Sequence, residues 1–198
     1  MLHDDRPACW NNGDRAVLMV PGVGGSHESP YMSRIASKLN DHGFRTFRMD
    51  HRGFGPGYHL AKQPGHAGRR EDTAAAVREI ARRCPDSSVT AVGFSMGGNI
   101  VLKMLGEAGN RPAGNLDSSV AIAPPIDILS CSLNLLQRAN RIYGWGFTRI
   151  LLRQLARHRP LLEELRRIPL HPLPKTLIEF DDRFTAPLSG FVDARQLA

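Results

Sequence analysis

The chain has 198 residues, 26 Lys+Arg against 19 Asp+Glu for a formal charge of +7, with 41% of residues apolar and 23% charged. Such a chain suits one globular domain with a real core, and the composition excludes a disordered tail and a membrane span. Three widely spaced cysteines, Cys9, Cys84 and Cys131, with no CxxC and no histidine pair at ligand spacing, argue against a disulfide scaffold and a zinc site.

The amino terminus, MLHDDRPACW, has acids where an export signal would carry basic residues and a long apolar stretch, so a cytoplasmic location is expected. Ala16 to Val20 (AVLMV) is wholly apolar and ends at PGVGGS, the pattern of a buried strand followed by a glycine-rich loop. Pro30 after Ser29 opens a helix in which Tyr31, Ile35 and Leu39 recur every four residues, with Gly43 as the stop. A second strand, FRTFRMD, ends at Asp50, and His51 to Gly68 reads as a long loop. Arg70 to Cys84 is helical, with acids at its start and arginines at its end. Ser88 to Phe94 is a third strand running into the helix SMGGNIVLKMLGEAG, and Ser118 to Ala123 is a fourth strand, closed by Pro124 and Pro125. Strands alternating with helices, in runs too apolar for a one-sided sheet, predict parallel pairing with helices on both faces. From Ile128 to His158 the spacing is helical throughout and rich in arginine, as in an inserted helical cap. The predicted division is a core over 1–127 and, over 128–198, a helical cap region with the start of a return to the core. The basic groups are dispersed, so a solvated surface rather than nucleic acid is expected despite a pI near 9.9.

Gly93-Phe94-Ser95-Met96-Gly97 is a Gly-x-Ser-x-Gly element set between a predicted strand and a predicted helix, the context in which such a serine is a nucleophile. Small residues at Gly93 and Gly97 let strand and helix backbones meet, and the turn lifts Ser95 above the carboxyl end of the sheet, where open α/β sheets bind ligands. Pro21 to Ser26 follows the first strand, where a second backbone donor for an oxyanion is expected, and it lacks the lysine of a phosphate loop. Met96 N–H and Val23 N–H are the candidate oxyanion donors.

Five segments in this order, PGVGGSHESPYMSRIASKLNDHGF, MDHRGFG, HAGRREDTAAAV, VGFSMGGNIVLK and KTLIEFDDRFTAPLSGFVDA, resemble the YheT/EMB8-like branch of the α/β-hydrolase superfamily over nearly the whole chain. The resemblance implies an α/β-hydrolase-like, mostly parallel sheet with an inserted helical cap. It also implies cleavage of a small-molecule acyl ester, short-chain or lipid-like, by a Ser-His-Asp triad through an acyl-enzyme on Ser95, with no metal or organic cofactor. Two departures stand out. Pro21-Gly22 replaces the branch's His-Gly, and the motif matched by Phe180 to Ala194 lies in the branch's cap, ahead of the strands that bear the triad aspartate and histidine. The resemblance therefore implies a chain truncated at both ends, lacking the last strands with those two residues and any strand upstream of Trp10. A catalytically incomplete fragment that binds a ligand or partner is the alternative expectation.

Asp127 could serve as the acid and His158 or His171 as the base, but all three lie in or beside the cap. Asp50, Arg52 and Gly53 are expected to structure the loop after the second strand, His27 to lie on the surface, and Glu179, Asp181 and Asp182 to join a cap ion-pair network. The free cysteines are expected as small core or surface residues. The basic amphipathic stretch Leu133 to Arg159 has two readings, a cover over the substrate pocket or a weak contact with an anionic membrane surface. The oligomeric state is left open.

Overall fold

Five short runs of the chain pair into one sheet: β1 (Leu2–Asp5), β2 (Ala16–Val20), β3 (Arg45–Met49), β4 (Val89–Phe94) and β5 (Leu116–Ile122). The computed structural model describes residues 1–63 and 65–197; Pro64 of the expected loop and Ala198 at the end of the expected cap region lie outside the described residues. Strand order is β1-β3-β2-β4-β5, parallel throughout except for β1, which runs antiparallel to β3. The expected alternation of strand and helix is present, with α1 (Pro30–Asp41) between β2 and β3, α2 (Glu71–Arg83) between β3 and β4, and α3 (Met96–Ala108) between β4 and β5.

Both faces of β2 are covered, which is why all five of its residues are buried. Ala16, Leu18 and Val20 join Phe47, Met49, Val89 and Ala91 under Val77 and Ile80 of α2 and Val101 and Met104 of α3. Val17 and Met19 face the other way, with Phe94, against Met32 and Ala36 of α1. Burying a side chain the size of Leu18 or Phe47 contributes about 1.5–3 kcal/mol, so this two-sided core specifies the sheet more strongly than any local propensity.

The strand upstream of Trp10, expected to be missing, is present as β1 and pairs from Leu2↔Met49 to Asp5↔Thr46. LHDD is too short and polar to announce a strand. Its acids are held from β3, by Arg45 to Asp4 at 2.6 Å and Arg48 to Asp5 at 2.7 Å. At the opposite edge, the pairing of β4 with β5 slips by one residue: Val89 faces Leu116, yet Thr90 faces Ser118. Asp117, the extra residue, binds Arg15 through both carboxylate oxygens, at 2.5 and 2.9 Å. From the slip onward Ser118, Val120 and Ile122 share the face of Thr90, Val92 and Phe94.

The chain divides into two compact units: residues 1–51 with 69–124, which hold the sheet, and residues 52–68 with 125–198. The second unit is helical, with α4 (Ile128–Asn134), α5 (Arg141–His158) and α6 (Glu163–Arg167), then a helical stretch from Leu177 to Leu188 interrupted by a π-turn over Asp181–Thr185. Leu155, Leu165, Phe180 and Phe184 form its own core.

Candidate active site

Chain order reverses between β2 and β4: β3 leaves β2 on one side and β4 returns on the other, so the loops after β2 and β4 emerge side by side at the carboxyl edge of the sheet. In an open parallel sheet that switch point is where ligands bind. Ser95 follows β4 there, at φ 50° and ψ −120°, a left-handed conformation that a serine adopts only under constraint. The constraints are visible. Ser95 N–H donates to the Ile122 carbonyl at 2.8 Å, and the Ser95 carbonyl accepts from Gly98 and Asn99 at 2.8 and 3.1 Å as α3 begins. Ser95 is exposed, and among the described residues its Oγ has no hydrogen-bond partner.

The glycines of the motif are dictated by backbone contact. A Cβ on Gly93 would lie 2.5 Å from the Gly97 carbonyl oxygen, and one on Gly97 would strike the carbonyls of Val20 and Pro21. A Cβ on Gly22 would lie 3.3 Å from that of Ser95, so the loop after β2 runs directly beside the serine. Within that loop Gly25 N–H closes a turn onto the Gly22 carbonyl at 3.0 Å, while Gly22 N–H donates to the Tyr31 hydroxyl at 2.9 Å. Val23 stands at the crown of the turn. The N–H groups of Val23 and Met96 have no acceptor among the described residues, as two donors reserved for a ligand oxygen would.

Two successive residues at the end of β3 hold this loop from behind. Asp50 accepts His27 N–H at 2.7 Å, His27 Nδ1–H at 2.9 Å and His3 Nε2–H at 2.9 Å. Burial alone would push the Asp50 carboxyl up, but these three bonds outweigh it and hold it below the usual carboxylate range. His51 is buried and its Nε2 lies 2.7 Å from the Pro21 carbonyl; because a carbonyl can only accept, Nε2 carries the proton. Burial pushes the His51 pKa down, partly opposed by that bond, so the ring stays neutral. His27 is therefore buried against Asp50 and not on the surface, because a carboxylate far away in sequence claims it. Asp50, expected to structure the loop after β3, instead holds the loop after β2 through His27. His51 was not singled out by the sequence, and its neighbours in MDHRG are the only signal that could have found it.

His3, His27 and Asp50 also fall within metal-ligand reach of one another. The two rings, however, stack in parallel, 3.2 Å apart and 4° from coplanar, so an ion shared by both would sit about half that distance out of each ring plane. Imidazole lone pairs lie in the plane, and this geometry suits two donors clasping one carboxylate.

The remaining candidates have structural roles. Asp127 caps α4, accepting from Ser130 N–H at 2.8 Å and Oγ at 2.6 Å. His158 is buried among residues of the second unit, stacked on Tyr58, and His171 is exposed. The expected ion-pair network at Glu179, Asp181 and Asp182 is not found among the described residues. Glu179 accepts Lys175 N–H at 2.8 Å, Asp182 accepts Ala194 N–H at 2.7 Å, and Arg183 donates to the carbonyls of Leu170 and Pro172. Backbone N–H groups take the Glu179 and Asp182 carboxylates, and the Asp181 carboxyl is bonded to the Thr185 side chain. Burial, with Asp182 beside it, raises Asp181 to about 6. Cys84 is buried while Cys9 and Cys131 are exposed, all three free.

A sequence family described as "alpha/beta hydrolase fold" matches residues 15–165. YheT of Escherichia coli (strain K12) is 27% identical over 192 residues, which cover 96% of this chain and 56% of that protein. Embryogenesis-associated protein EMB8 of Picea glauca is 25% identical over 200 residues, 96% of this chain and 43% of that one. Phospholipase ABHD3 of Mus musculus is 25% identical over 176 residues, 88% of this chain and 42% of that one. The chain thus spans about half the length of the curated relatives it matches. Among solved structures, Est1E from Butyrivibrio proteoclasticus with ferulic acid bound superposes with a TM-score of 0.55 at 19% identity, over 68% of this chain and 52% of that one. An esterase from Pyrococcus furiosus does so with a TM-score of 0.55 at 20% identity, over 74% and 54%.

Proposed function

Because the chain belongs to the alpha/beta hydrolase fold family, we propose that it is a serine hydrolase of carboxylic esters with Ser95 as nucleophile. The observation that carries this reading is the exposed Ser95 held at φ 50° beside the loop after β2, with Met96 N–H and Val23 N–H lacking acceptors among the described residues. In the proposed reaction Ser95 Oγ attacks the ester carbonyl and its proton passes to a general base. The carbonyl oxygen gathers negative charge between the two N–H groups, and the alcohol departs with the transferred proton. Water then cleaves the acyl-enzyme to release the acid and restore the hydroxyl. The substrate is a small-molecule ester. The sequence relatives named as an esterase and a phospholipase support the class.

One observation favours a second reading. A serine hydroxyl is a weak nucleophile without an adjacent base, and among the described residues no histidine bonds Ser95 Oγ. In that reading the chain binds an ester without cleaving it. A fluorophosphonate probe separates the two: covalent labelling of the folded chain, abolished in Ser95→Ala, is expected for the hydrolase. A folded wild-type chain left unlabelled overturns it in favour of the binding module.

A further inference from the structure

From Ile128 to Arg159 the chain carries six arginines, at 138, 141, 149, 153, 157 and 159, and not one acid. Elsewhere its charges are mixed, with Asp4, Asp5, Glu79, Glu107 and Asp117 each paired to an arginine. Among the described residues none of these six arginines lies in an ion pair, so this segment presents uncompensated positive charge. α5 dominates it, with 18 residues and a length of about 27 Å. One side of α5 is occupied within its own unit: Gly144, Thr148, Leu155 and His158 are buried. The other side carries Ile142, Trp145, Arg149 and Arg153 at helical spacing and faces solvent.

That exposed side is not polar. Ile142 is 71% exposed and Trp145 54%, an unusual presentation for two large side chains three residues apart, and Tyr143, 62% exposed, flanks Ile142 on the side away from Trp145. The Arg149 guanidinium lies 4.6 Å from the Trp145 ring centroid, so one apolar anchor and one cation already share a site. Leu133 and Leu136, from the segment just before α5, are also exposed.

We propose that this face of α5 docks on an anionic lipid surface, with Trp145 and Ile142 entering the headgroup boundary and the arginines beside them lying against lipid phosphates and carboxylates. The charge is complementary and unshared with protein acids. Trp and Tyr are the side chains that prefer a membrane interface, and arginine stems lie along apolar surface while their guanidinium groups reach outward. The contact lies on the membrane and does not traverse it, since no helix of the described residues is long and apolar enough to cross one. A nucleic acid would use the arginines but has no use for exposed Ile142 and Leu136, which is why lipid is the partner inferred. The proposal is independent of whether Ser95 is activated.

The sequence supplies its own reporter, because it has two tryptophans and the other, Trp10, is buried at 3% exposure. The full chain is mixed with large unilamellar vesicles of phosphatidylcholine alone or of phosphatidylcholine with about one third phosphatidylserine, at low and at 0.5 M salt. Sedimentation and tryptophan emission are followed together. The expected result is co-sedimentation with the anionic vesicles only, a blue shift of the emission, and loss of at least tenfold in partitioning at high salt, where screening shortens to a few ångströms. Arg149→Gln with Arg153→Gln weakens binding and leaves far-UV circular dichroism unchanged, and Trp145→Ser abolishes the blue shift. Three outcomes overturn the proposal: no binding to anionic vesicles, binding with Trp145 emission unmoved, or tighter salt-sensitive binding to duplex DNA than to vesicles. A concentration-dependent dimer that Trp145→Ser returns to monomer overturns it as well, by giving the face to a second copy.

Discussion

A methyl group placed on Gly97 would meet the carbonyl oxygens of Val20 and Pro21, backbone atoms that cannot swing aside. Gly97→Ala is therefore expected to cost about 3 kcal/mol, at the upper end of overpacking, and to lower the melting temperature by about 6–12 °C. Gly106, in the same helix, has nothing within 4 Å of its would-be Cβ, so Gly106→Ala should raise stability by up to about 1 kcal/mol. Scanning calorimetry of the two variants checks both signs, and a tolerated Gly97→Ala would refute the close approach of α3 to β2. Ser95 and Gly93 were legible in the sequence because what they require is local, a strand, a tight turn and a helix within a few residues, whereas Gly97 was legible only as part of the motif, its contacts being with Val20 and Pro21. His51 and His27 were not legible, because their partners, Pro21 and Asp50, lie 30 and 23 residues away.

The three sheet-flanking helices follow their sequence signals closely. Pro30 opens α1, Gly43 with φ 83° follows its end, and acids and arginines sit at the two ends of α2. The loop after β2 is different, since it owes its shape to the end of β3. Its tie through His51 has a pH sense. The folded-state pKa of His51 is depressed, so below its ordinary value of about 6.5 the unfolded chain takes up a proton that the buried ring resists. Stability from this group is full above that value and declines as pH falls toward the depressed one, by at most about 1.4 kcal/mol per pH unit. His51→Gln keeps a donor but cannot titrate. Thermal melts between pH 5 and 7 should therefore slope less steeply in the variant than in the wild type, and identical slopes would remove His51 from the account.

At the scale of the whole molecule, the parallel core was legible from strand–helix alternation and from AVLMV, whereas β1 was not. Its cohesion lies in ion pairs to Arg45 and Arg48 and in the His3–Asp50 bond, none of which a periodicity can reveal. Deleting residues 1–5 uncovers the edge of β3 and frees one oxygen of a buried carboxylate. The expected result is a fall of about 4–12 °C in melting temperature, equivalent to about 2–3 kcal/mol, with self-association in analytical sedimentation. An unchanged, monodisperse melt would make the strand dispensable.

The register slip at Asp117 bears on how this gene can vary. Because side chains alternate along a strand, one residue more or fewer between Leu116 and Ser118 would turn Val120 and Ile122 to the opposite face. It would also carry the Ile122 carbonyl away from Ser95 N–H, which it accepts at 2.8 Å. The loop over 111–113 can lengthen or shorten without that penalty, whereas Asn115 is tied to Val89 N–H and to the Cys84 carbonyl. Insertions and deletions tolerated by a working chain should therefore stop abruptly at Gly114, a boundary that a library of single-codon indels would display directly.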